Sequence, residues 1–134
     1  MVKHLHKIVL SGSVLDDHFG VPFLYEPCHA EATLFFGNYE YPDWRLLRDC
    51  LHPGMTVVDV GANIGWYTAL FAGAVRTGGH VFAIEPLPAN FARLTRLIDL
   101  CPDDDLITAW CGALSDTSGT ASLVSVHALM PPRA

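Results

Sequence analysis

The stretch from Met55 to Glu85 restricts the possible folds of this chain more than any other part of it. Met55 to Val60 is an apolar run rich in β-branched residues, entered through Pro53-Gly54, and it reads as a strand buried on both faces. A turn, Gly61-Ala62-Asn63-Ile64-Gly65, follows at once. Ile64 to Arg76 is then apolar nearly all round, as in a helix packed between layers, and Thr77-Gly78-Gly79 ends it with a glycine C-cap. His80 to Glu85 is a second strand. A strand, a helix and a strand in this order make a parallel βαβ unit with a right-handed crossover.

The flanking sequence extends the alternation. Pro42 to Leu51 has Pro and Asp in its first turn and places Trp44, Leu47, Cys50 and Leu51 on one face, which predicts an amphipathic helix stopped at His52-Pro53-Gly54. Pro86-Leu87-Pro88 opens another helix, in which Phe91, Leu94, Leu97 and Ile98 recur at helical spacing while Arg93 and Arg96 face outward. Leu106 to Ala113 reads as a third strand and Ala121 to Val126 as a short fourth. Before Tyr41 the pattern is irregular, with short strand-like runs at 7–10, 21–25 and 33–36 between turn signals. The organisation expected is a lead-in of short strands and loops over 1–41, one α/β domain over 42–126, and an unpatterned tail over 127–134.

Composition removes several classes. The chain has 134 residues, 51% of them hydrophobic, which suits a single packed core. Its formal charge is −6 and its eight Lys and Arg are scattered, against a nucleic-acid partner. No apolar run approaches the roughly 20 residues of a membrane span, and Ile8-Val9-Leu10 is too short for a signal peptide, so a cytoplasmic location is expected. The four cysteines form no Cys-x-x-C pair and the seven histidines no ligand-spaced cluster, so no metal site is expected.

In an open α/β sheet, ligands bind beyond the carboxyl ends of the strands. After the first strand stand Asp59, Gly61, Ala62, Asn63 and Gly65, where glycine lets the backbone turn sharply and approach a ligand. After the second strand stands Glu85, close to the ~20-residue offset from the glycine turn at which an acidic side chain meets ribose hydroxyls. A charge ending a buried strand must be paired; Asp59 either orders the glycine loop or reaches the cationic end of a ligand. The loop lacks the Gly-x-Gly-x-x-Gly spacing of a dinucleotide site, and no lysine follows Lys7, which excludes a Gly-Lys-Ser/Thr phosphate loop. A ligand with a ribose and no phosphate fits better.

The string Val57-Val58-Asp59-Val60-Gly61-Ala62-Asn63-Ile64-Gly65-Trp66-Tyr67-Thr68 resembles the glycine-rich motif of FkbM-type S-adenosylmethionine-dependent methyltransferases. Gly37-Asn38-Tyr39-Glu40, the Leu51 to Gly54 lead-in, Phe82-Ala83-Ile84-Glu85-Pro86, and Gly112-Ala113-Leu114-Ser115-Asp116 followed by Gly119 are similar to other segments of that family. The resemblance covers roughly Phe36 to Val126. It implies an α/β, Rossmann-like, doubly wound parallel sheet of the class I methyltransferase type, with S-adenosyl-L-methionine as cofactor. The Gly61 to Gly65 loop would wrap the amino-acid end of that cofactor, Glu85 would hold the ribose with Pro86 beside it, and Ala113 and Leu114 would flank the adenine. Glu40 is either a further contact near the cofactor or a surface loop carboxylate.

The family's acceptor-side segment, resembling Lys-x-Asp-x-Glu-Gly after a fourth parallel strand, has no counterpart here. The chain therefore reads as the N-terminal, cofactor-binding half of a methyltransferase truncated at its C-terminus, with an exposed sheet edge through which it could self-associate. Resemblance points to O-methylation of a sugar or small-metabolite hydroxyl. The alternative is a non-catalytic nucleoside-binding or interaction module.

Overall fold

A computed structural model of the chain describes residues 8–10, 13–16, 23–25, 46–47, 49–76, 78–101 and 104–123. The strand expected over 33–36, Glu40 and the tail from 127 lie outside the described residues.

The first sheet is antiparallel, in the order β1-β2-β3, with β1 at Ile8–Leu10, β2 at Ser13–Asp16 and β3 at Phe23–Tyr25. β1 and β3 fall within runs predicted from sequence. β2 does not: Ser11-Gly12 ends the first run in sequence, although a two-residue Gly-containing link is equally the mark of a hairpin.

The second sheet is parallel. It contains β4 (Thr56–Val60), β5 (His80–Ile84) and β6 (Ile107–Trp110) in that order, in a register that aligns Val57 with Val81 and Ile107, and Val60 with Ile84 and Trp110. Helix α1 (Trp66–Val75) connects β4 to β5, and α2 (Pro88–Ile98) followed by a 3-10 turn (Asp104–Leu106) connects β5 to β6. Ala69, Ala72 and Val75 of α1, Val81 and Ala83 of β5, and Leu94 and Leu97 of α2 are fully buried together. The predicted parallel βαβ alternation is thus present. Residues 46–47 and 49–50 are helical, inside the helix predicted over 42–51, and Leu47 and Leu51 pack against the core. Cys50, expected on the same inner face, is exposed, because it lies at the edge of the stripe that Leu47 and Leu51 centre.

Four other expectations are corrected. β4 is not buried on both faces: Val58 and Val60 are 54% and 58% exposed. The sheet steps from β4 to β5 to β6 in one direction, so two right-handed crossovers deliver α1 and α2 to the same face. The opposite face, with Val58, Val60, Phe82 and Trp110, carries no helix among the described residues. α1 does not end on a glycine cap; Arg76 takes the cap position at φ 24°, its N–H donating to the Ala72 carbonyl. Gly79 is needed for space instead, since a Cβ there would stand 2.7 Å from the Val75 carbonyl oxygen and 2.8 Å from that of Met55. β6 is shorter than the run 106–113, because Leu106 belongs to the 3-10 turn and the chain leaves the sheet at Cys111. Residues 121–123 form no strand; Ala121, Ser122 and Leu123 are exposed and pair with no strand, and 124–126 lie outside the described residues.

Candidate functional site

The carboxyl ends of β4, β5 and β6 converge on one crevice. β4 ends at Val60, and Gly61 adopts φ 80°, a left-handed conformation in which its N–H and that of Ala62 both donate to the Ile84 carbonyl at 2.8 and 3.0 Å. The chain after β4 is therefore fastened across the end of β5. Asn63 continues the turn at φ 54°, a region that asparagine tolerates better than most side chains. Gly65, at φ 96°, forms the N-cap of α1.

The two glycines differ in purpose. A Cβ on Gly61 would meet nothing within 4 Å, so the space before it is open. A Cβ on Gly65 would lie 2.9 Å from Leu94 Cδ1 and 3.3 Å from Leu97 Cδ1, so Gly65 is where α1 begins tightly against α2. Ala62 is buried in the core at the base of the turn.

Glu85 is 5% exposed, far from the solvated strand end that an acidic residue at this position would ordinarily be. Its Oε2 accepts the N–H of Asn63 at 2.8 Å and its Oε1 accepts the N–H of Leu87 at 2.9 Å. One carboxylate thus joins the turn after β4 to the N-cap residue of α2, with Pro88 at the first helical position behind it. The backbone of Glu85 binds on the other side, its N–H donating to the Trp110 carbonyl at 3.1 Å and its carbonyl accepting the N–H of Gly112 at 3.3 Å. Each carboxylate oxygen keeps a further lone pair for an incoming hydroxyl.

Asp59 is 8% exposed, and its Oδ2 accepts the Thr68 hydroxyl at 2.6 Å. Burial pushes this carboxyl above the ordinary aspartate value; the Thr68 hydrogen bond opposes the shift and the charge of Glu85 adds to it. The partner of Asp59 is therefore a side chain of α1, and the glycine loop is ordered by Glu85. Sequence reasoning quoted Thr68 within the motif without assigning it a role. Its signal was a hydroxyl one turn into a helix whose neighbours are all apolar.

Beside Glu85 a cleft of about 680 Å³ is lined by Pro86, Gly112, Ala113, Leu114 and Leu123, with Trp110 on its wall. The Trp110 indole lies close enough to Gly112 that a Cβ there would come 3.0 Å from its ring. The structure thus brings Asp59, Gly61, Asn63 and Glu85 together at the carboxyl ends of β4 and β5, and Pro86, Ala113 and Leu114 to the cleft beside Glu85, while Gly65 serves the packing beneath. Trp110 was not anticipated. Among the described residues no three His, Cys, Asp or Glu side chains are grouped so as to hold a metal ion, and no helix is long and apolar enough to cross a membrane.

Parts of this chain are similar to known proteins. Protein-L-isoaspartate O-methyltransferase 2 of Arabidopsis thaliana is 43% identical over 62 residues, which span 46% of this chain and 20% of that protein. Protein-L-isoaspartate O-methyltransferase of Aeropyrum pernix is 49% identical over 43 residues, covering 31% of this chain and 16% of that protein. The matched part of the chain thus spans a fifth or less of the length of these two relatives. The crystal structure of TYW2 from Pyrococcus horikoshii, in complex with MeSAdo, superposes with a TM-score of 0.55 at 22% identity, over 82% of this chain and 39% of that one, and so shares the fold. Residues 59–132 match the model of the methyltransferase FkbM domain, more than half of the chain and including Asp59, the glycine turn and Glu85. With a Rossmann-like α/β sheet and the glycine turn and acidic strand end of its motif in place, the chain belongs to the FkbM methyltransferase domain family.

Proposed function

We propose that this chain binds S-adenosyl-L-methionine in the crevice at the carboxyl ends of β4 and β5, as the cofactor-binding part of a methyltransferase acting on a hydroxyl of a sugar or small metabolite. The observation that carries this reading is Glu85, a buried carboxylate that holds both the glycine turn and the start of α2 by backbone N–H groups. Burying a carboxylate costs desolvation, which these two backbone N–H bonds offset in part and a ligand with paired hydroxyls would offset further.

The chain's groups fit such a cofactor. Gly61 leaves open space where a side chain would stand, suiting close approach of the methionine part. Asp59, partly freed from water, suits a cationic ammonium group, and Glu85 suits the two ribose hydroxyls. The cleft lined by Pro86, Ala113 and Leu114 has a volume within the roughly 300–1,000 Å³ of small-molecule sites. No Lys or Arg flanks the turn from Gly61 to Gly65, in keeping with a ligand without phosphate. When bound, the cofactor supplies a methyl group activated by its sulfonium; the protein's part is to bind it, exclude water and hold the methyl in line with an acceptor.

A second reading, a nucleoside-binding module without turnover, is favoured by the bare sheet face at Val58, Val60 and Phe82, since the described residues build no wall for an acceptor on that side. Titration calorimetry of S-adenosylmethionine and S-adenosylhomocysteine into the full chain tests the cofactor assignment. Micromolar binding that is lost in Glu85→Ala and Gly61→Val is the expected result; a folded wild-type chain that binds neither compound would overturn it. Methyl transfer to a panel of hydroxyl acceptors then decides between the two readings.

A further inference from the structure

Thr68 is fully buried on α1, where the helix around it, from Trp66 to Val75, contains no charged residue. A buried hydroxyl needs a partner, and within a helix a threonine has one at hand in the carbonyl four residues back. Thr68 instead donates to Asp59 Oδ2 across the gap between α1 and β4, at 2.6 Å, in the short range of hydrogen bonds to an ionised oxygen. Among the described residues it is the donor that meets this carboxylate. The other charge acting on Asp59 is Glu85 at the end of β5, which repels it, and α1 and β4 contribute no cation.

A carboxylate placed among apolar neighbours and beside a second acid is drawn towards its neutral form. A single neutral donor that bonds the ionised form works in the opposite direction, and it also fixes one of the two oxygens in space. We propose that Thr68 is a positioning residue of the cofactor site: its hydroxyl anchors Asp59 Oδ2 and so keeps the carboxylate charged and oriented, with Oδ1 left for the cationic ammonium group of the cofactor. The inference rests on the cofactor assignment made above, but the state of Asp59 that it specifies belongs to the chain alone.

Thr68→Val retains the shape and removes the hydroxyl, whereas Thr68→Ser retains the hydroxyl and removes a methyl. The full chain and both variants are titrated with S-adenosylmethionine by calorimetry between pH 5 and 8, and the Asp59 carboxyl is followed by carbon-13 NMR in the absence of ligand. Thr68→Val is expected to weaken binding about tenfold at pH 7, the loss of one hydrogen bond to a charged group. The loss should grow as pH falls, with the Asp59 titration midpoint moved upward, and Thr68→Ser should restore both. Equal affinity and an unmoved midpoint in Thr68→Val would overturn the proposal. So would a loss that Thr68→Ser fails to restore while both variants show the wild-type midpoint, which marks a packing role. If the wild-type chain binds no cofactor, the assignment of the site fails by itself, and the carboxyl titration still decides whether Thr68 holds Asp59 in its charged form.

Discussion

Replacing Glu85 with glutamine is the sharpest perturbation of the crevice, because it keeps the shape of the side chain and changes the identity of one atom. Oε1 and Oε2 each accept a backbone N–H, from Leu87 and Asn63 respectively. An amide can accept with its oxygen alone, so either orientation sets an NH2 group against one of those donors. A part-buried N–H left without an acceptor costs about 1–3 kcal/mol, and the surviving bond loses the strengthening that an ionised acceptor gives, about 1 kcal/mol more. The repulsion between Glu85 and Asp59 is relieved, which returns part of this. The expected net loss is about 2 kcal/mol in unfolding free energy, read as a lower urea midpoint with an unchanged slope. Amide hydrogen exchange locates the effect: either Asn63 or Leu87 should exchange faster by an order of magnitude or more beyond the global change. A variant with wild-type stability and wild-type protection at both amides would show that the carboxylate does not fasten the turn.

Other substitutions separate neighbouring roles. Gly61→Ala adds a methyl to open space and incurs only the left-handed penalty of about 1 kcal/mol, so its stability should fall slightly while cofactor affinity falls steeply. Gly65→Ala adds a clash with Leu94 to the same penalty, and thermal melts should show a loss of about 2–3 kcal/mol. Leu94→Ala removes a fully buried side chain between α2 and the turn and should cost about 2–5 kcal/mol by urea unfolding. Asp59→Asn bears on pH. Because the folded chain holds this proton more tightly than the unfolded chain does, Asp59 favours folding at acid pH, and that contribution is lost as pH rises through its raised folded value. Asparagine has no such loss and its oxygen can still accept from Thr68, so the variant should gain stability over the wild type on going from pH 4 to pH 7 while losing cofactor affinity. A stability difference that stays constant over that range would contradict the sign.

The elements around the site were legible because their signals are local. The β-branched run before Gly61, the apolar helix after it and the Pro-initiated α2 each state their type within a dozen residues, and right-handed crossovers arrange them. Asp59 and Glu85 stood out because they lie at the carboxyl ends of two strands, Asp59 as the last but one residue of β4 and Glu85 just after β5. Their partners were not, because a hydrogen bond from Thr68 to Asp59 or from Leu87 to Glu85 depends on how two elements are set against each other. The exposure of Val58 and Val60 was also missed for a physical reason: an apolar run of the kind seen in a two-sided strand says nothing of whether both crossovers fall on one face. Arg76 as the cap of α1 defeated the preference for glycine, since Gly78 and Gly79 stand just beyond it and Gly79 is held by its contact with Val75 and Met55. β2 is hard to read because Ser11-Gly12 has the same composition whether it ends a strand or links two strands of a hairpin.

The claim on which the rest depends is that one ligand spans the crevice from the glycine turn to the cleft beyond β6. Two-dimensional amide NMR of the nitrogen-15-labelled chain, titrated with S-adenosylhomocysteine, tests it residue by residue. The amides of Gly61, Asn63, Glu85, Ala113 and Leu114 should move together along a single saturating isotherm, while those of Thr56 and Gly78, at the amino ends of β4 and β5, stay in place. Shifts that gather on the bare face at Val58 and Phe82, or an unchanged spectrum at saturating ligand, would contradict the account.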